Sequence, residues 1–144
     1  MKFITSSYDP ETGETKVVMQ HLGKKFVGIA KTHPDDMEIS SELTGGTFAE
    51  IRAQIKALKY ERELAKIKSD MALDFVKSVT CYSKFDAEDA SAKSMYRQLN
   101  QRIKRVNDLA DEINDLYAAL DALLLARKKY TERRKKEEAS KEDN

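Results

Sequence analysis

The residues richest in chemical potential are the ten from Arg127 to Lys136. Seven are cations (Arg127, Lys128, Lys129, Arg133, Arg134, Lys135 and Lys136), and Tyr130 stands among them. Cations at this density attract phosphates, and a ring among them offers a face on which a base can stack. The same run also suits a helix C-terminus, whose dipole favours positive charge. Glu137, Glu138, Glu142 and Asp143 follow and partly neutralise it. His33, Asp35, Asp36 and Glu38, with His21, have residue types for metal binding or acid–base work, but no recognised ligand spacing. His33-Pro34-Asp35-Asp36 reads instead as a turn, Pro34 fixing φ and the aspartates accepting backbone amides. Cys81 has no activating neighbours. Phosphate-loop glycine patterns are absent, and the amides after Gly45-Gly46 serve a cap rather than an anion. These readings predict no catalytic residue, no metal and no cofactor, hence not an enzyme.

The elements that must position these residues follow from composition and pattern. Charged residues make up 35 % of the 144, apolar residues 40 %, with five Gly and two Pro. That is a helix-rich balance. A net charge of +1 argues against an acidic nucleic-acid mimic and against a uniformly basic coat. A single cysteine excludes an intrachain disulfide and fits a reducing compartment. With no signal-like start and no apolar run near the roughly 20 residues of a membrane span, the expectation is a cytoplasmic protein without membrane contact.

Residues 1–46 read as a β-meander and connector. Lys2 to Tyr8 is a short strand, Asp9-Pro10-Glu11-Thr12-Gly13 a turn, and Thr15, Val17 and Met19 the buried side of a second strand. Gly23-Lys24 turns into a third strand, Lys25 to Lys31. Residues 33–46 connect to a capping box, Thr47-Phe48-Ala49-Glu50, which predicts helix one over 47–82. Its apolar positions are Phe48, Ile51, Ile55 and Leu58, then Leu64, Ile67, Met71, Phe75 and Val79, with a heptad break between Leu58 and Leu64. Ser83-Lys84-Phe85 is the predicted turn. Helix two spans 86–136, with Asp86 as N-cap, and 137–144 is a polar frayed tail. All of this reads as one domain of α+β class: a three-stranded antiparallel meander plus a long antiparallel two-helix coiled-coil hairpin.

Helix two carries Tyr96, Leu99, Ile103, Val106, Ala110, Ile113, Tyr117, Leu120 and Leu124 at alternating steps of three and four, a seam for helix one. The short turn makes the helices antiparallel, with facing residues summing to about 170. Arg52, Lys56, Lys59 and Arg62 then oppose Asp108, Asp111, Glu112, Asp115 and Asp121. A second column, Leu109, Leu116 and Leu123, predicts another packing partner, the sheet or a second copy in a homo-oligomer. The sheet is expected near Leu120 to Tyr130. Tyr82 and Phe85 at the hairpin tip, with Tyr96, are candidate interface aromatics.

The segment Phe26-Val27-Gly28-Ile29-Ala30-Lys31-Thr32-His33-Pro34-Asp35-Asp36, followed by Ala49-Glu50-Ile51-Arg52-Ala53 and Lys56-Ala57-Leu58-Lys59, resembles small uncharacterised accessory proteins of phages and prophages of Gram-positive bacteria. The resemblance spans about the first 60 residues and carries no activity. It implies expression in an infected or lysogenic bacterial cell and a role in binding and blocking a host defence protein, such as a CRISPR nuclease. The expectation is therefore a protein-binding module whose partner is a host or phage protein. The alternatives are a nucleic-acid- or nucleotide-binding protein acting through Arg127 to Lys136, and a structural coiled-coil component of a virion.

Overall fold

A computed structural model describes residues 1–31, 42–82 and 90–143. Three strands, β1 (Lys2–Asp9), β2 (Glu14–His21) and β3 (Lys24–Lys31), precede two helices, α1 (Glu42–Tyr82) and α2 (Ala90–Glu142). The strands form one antiparallel sheet in the order β1-β2-β3. The class is α+β with a helical hairpin, as the sequence pattern predicts. The chain divides into two compact units, Met1–Ala57 with Asn114–Asn144, and Leu58–Ile113.

The first unit is built on alternation. Thr15, Val17 and Met19 of β2 are buried, and they stand opposite Ala30, Gly28 and Phe26 of β3. Val17, Met19 and Ala30 form one core with Phe48, Ala49 and Ala53 of α1 and Leu120 of α2; Ile51 and Leu123 pack on it. The sheet thus meets α2 at the start of the expected stretch. Gly28 makes the contact with α1 possible: a Cβ there would stand 1.8 Å from the Ala49 carbonyl oxygen and 2.6 Å from the Ala53 nitrogen. Any side chain at 28 would push strand and helix apart.

Turn chemistry sets the sheet register. Asp9 accepts the amide of Glu11 through its carboxylate (2.9 Å) and that of Gly13 through its carbonyl (2.8 Å), and Gly13 takes a φ of 69°. His21 pairs with Lys24, so the β2–β3 loop is Leu22-Gly23, one position earlier than Gly23-Lys24. Both loop residues have positive φ, 51° and 77°. That is the handedness a two-residue hairpin needs, and leucine is a poor residue for it.

α1 begins five residues before the expected capping box, so Thr47 and Glu50 lie inside the helix and Gly45 and Gly46 are helical. Packing explains Gly45. A Cβ there would meet the Thr15 Oγ1 at 2.3 Å, so glycine admits β2 rather than breaking the helix. The first residue described in α2 is Ala90. The helix continues to Glu142, overriding the frayed tail expected over 137–144. Mixed Lys and Glu without Gly or Pro sustain it, with an Arg134–Glu138 pair one turn apart at 3.5 Å and Lys141 favourable in the last turn. The expected hairpin turn, the Asp86 cap and the connector residues from His33 to Glu38 lie outside the described residues.

In the second unit, buried and half-buried positions on α1 include Leu58, Arg62, Leu64, Ala65, Ser69, Ala72, Val76 and Val79. The boundary between the two units falls at Ala57/Leu58, at the start of the stretch where the seam is expected to shift or change partner. Within the second unit the seam follows a heptad through small and polar residues that an apolar count passes over. On α2 the inward positions are Ala92, Met95, Leu99, Val106, Leu109 and Ile113. Arg105 bridges Glu61 (2.5 Å) and approaches Glu112 (3.8 Å), while Arg102 donates to the Lys68 carbonyl (3.2 Å). Partners on α1 rise in number as those on α2 fall, so the helices run antiparallel. The Glu61 hydrogen bond is the main reason the Arg105 guanidinium lies above the usual arginine range, so it stays charged.

Two of the four cations expected to oppose the acids of α2 are used elsewhere. Arg52 and Lys56 donate to backbone carbonyls of edge strand β3, Ile29 at 2.6 Å and Val27 at 2.7 Å, instead of meeting the acids of α2. They close that edge of the sheet against further pairing. Arg62 Nε is buried without a hydrogen-bond partner among the described residues.

Candidate functional site

The second unit turns large apolar side chains outward. Ile67, Met71 and Phe75 are 55 %, 65 % and 60 % exposed. Spacing of four places them on one side of α1. The seam beside them on the same helix holds Ala65, Ser69 and Ala72. From α2 the same unit exposes Tyr96 and Ile103, seven residues apart on one stripe. Tyr96 borders a shallow depression with Lys93, Arg97 and Lys104. The apolar sequence pattern assigns Ile67, Met71 and Phe75 to the helix–helix seam, and the structure corrects that. The competing signal is present in Leu58, Ala65, Ala72 and Val79, a column at strict sevenfold spacing.

The two apolar columns of α2 exchange roles relative to the sequence expectation. Leu109 is fully buried, Leu116 is half-buried, and Leu123 packs on the sheet core. Leu109 and Leu123 of this column, expected as an oligomer stripe, pack inside the chain. Tyr96, Ile103, Tyr117 and Leu124, expected to face helix one, are the exposed set. The reason is geometric: two columns share Leu99, Val106, Ile113 and Leu120, and sequence cannot say on which side of them the partner sits. Of the tip aromatics, Phe85 and the Tyr82 side chain lie outside the described residues.

The basic run is split by the helix it sits on. Arg127 is half-buried, its guanidinium 5.9 Å from the centre of the buried Phe48 ring, a cation–π distance. Thr131 donates to the Arg127 carbonyl at 3.0 Å. Arg134 pairs with Glu138, whereas Lys129, Arg133, Lys136 and the ring of Tyr130 are exposed. Lys128 and Lys135 border a cleft of about 410 Å³ together with Arg127 and Lys31, the last residue of β3. Lys31 is the cation that sequence reasoning missed, because 96 positions separate it from Arg127.

Among the described residues no His, Cys, Asp and Glu group is arranged to hold a metal. No described helix is long and apolar enough to cross a membrane. Comparison with known proteins returned no matching family model, no matching curated protein and no matching solved structure.

Proposed function

We propose that this chain is a non-enzymatic protein-binding module whose docking surface is the outward row Ile67, Met71 and Phe75. One observation carries this reading: over the length of that row, α1 turns small residues to its own seam and large apolar ones to water. Solvent-facing methionine and phenylalanine in one row supply the adaptable and aromatic anchors that concentrate binding energy in interfaces. The partner class is the one implied by the resemblance of the N-terminal segment: a bacterial host defence protein, of which a CRISPR nuclease is one example. The setting would be the cytoplasm of an infected or lysogenic cell.

A photo-crosslinking residue at position 71, compared with one at position 129, tests this in bacterial lysate with and without nuclease. The expected result is one protein adduct specific to position 71, insensitive to nuclease and abolished by Phe75→Glu at unchanged helicity. Equal labelling from both positions overturns it. So does loss of every adduct after nuclease, which points to nucleic acid. Adducts only between copies of this chain point to a structural coiled-coil assembly instead.

A further inference from the structure

We infer that the cleft between the end of β3 and the C-terminal part of α2 is a phosphate-ester binding site, independent of the apolar row. Lys31, Arg127, Lys128 and Lys135 border it, with Glu132 the one acid in its lining. Four positive charges against one negative give a lining charge of +3 in a protein whose net charge is +1. The cations come from two elements that the fold of the first unit brings together, so this concentration is tertiary and not a property of the basic run. Lys31, Lys128 and Lys135 have no ion-pair partner among the described residues, although Arg134 on the same helix does. The Arg127 guanidinium stands over the Phe48 ring, 5.9 Å from its centre, a cation–π contact that lowers the cost of ordering it on an anion. Lysine ammonium groups around a guanidinium suit a phosphate, which accepts several charge-assisted hydrogen bonds at once. Leu124 adds an apolar wall. The volume lies in the range of small-ligand sites, and converging charges in a concavity concentrate an anion more than the same charges on an open helix face.

Phosphate esters occur free, as nucleotides, and in nucleic-acid backbones, and the test separates the two sources. Binding of fluorescent ATP and of a labelled 12-nucleotide single strand is measured at about 50 and 200 mM salt. Three double variants are compared with the full chain: Lys31→Glu with Lys128→Glu, Lys31→Gln with Lys128→Gln, and the charge-matched Lys129→Glu with Lys136→Glu outside the cleft. The cleft variants are expected to lose about tenfold or more in affinity for whichever probe binds, the charge-matched control about twofold. The Gln pair removes charge without adding repulsion, and circular dichroism checks its fold. ATP binding assigns the site to free nucleotides; strand binding alone assigns it to a nucleic-acid backbone. Binding of neither probe, or equal losses in cleft and control variants, overturns the proposal.

Discussion

In the unit formed by Met1–Ala57 and Asn114–Asn144, large side chains go inward: Val17, Met19, Phe48 and Leu120 close one core over a three-stranded sheet. In Leu58–Ile113, α1 gives its seam Ala65, Ser69 and Ala72, and α2 adds Ala92 beside a half-buried Met95, while Ile67, Met71 and Phe75 face water. Burial of apolar area stabilises by about 25 cal/mol per Å². A stretch of seam built on alanine and serine therefore gains little from its own closure. It leaves Ile67, Met71 and Phe75 available to whatever docks on them. The comparison teaches that heptad spacing identifies where a helix meets its neighbour, and that residue size at those positions shows whether the contact is made for stability.

The largest expected effect lies in the sheet-bearing unit. Gly28→Val drives a side chain into the backbone of α1 at Ala49 and Ala53. It should cost about 3 kcal/mol or more in urea unfolding. A cost below about 0.5 kcal/mol would mean that strand and helix do not approach this closely. Next comes a paired test inside the helical unit. Leu109→Ala should cost about 3 kcal/mol, since its side chain is fully buried. Met71→Ala and Phe75→Ala should each stay within about 0.5 kcal/mol, as exposed positions do. Equal costs at positions 71 and 109 would erase the contrast between seam and outward row. The smallest effect is a gain. Leu22→Asn keeps the positive φ of the β2–β3 loop with a residue that tolerates it, and Leu22 is 54 % exposed, so little packing is lost. Melting should show stabilisation by about 0.5–1 kcal/mol. A loss would show that Leu22 packs on something its exposure does not reveal.

Local chemistry was the most legible part of this chain. The alternation Thr15, Val17, Met19 and the turn residues around Asp9 and Gly13 specify the hairpin, because strand faces and tight turns depend on immediate neighbours. Helix boundaries were less legible. Gly45-Gly46 looks like a stop when its contact with Thr15 is unknown. The candidate sites were the least legible. Arg52 and Lys56 resemble coiled-coil flanking charges, and only the position of β3 makes them carbonyl clamps. Lys31 looks like the polar end of a strand until α2 passes beside it.

By itself the sequence determined the element types, their order, the antiparallel meander and the periodicity of both helices. Each follows from steric preference and side-chain spacing within a few residues. Tertiary structure alone decided which of two adjacent columns on α2 is buried, which cations clamp the sheet, and that Lys31 joins Arg127. Those outcomes depend on the direction from which a distant element approaches, and helical periodicity is the same for every direction.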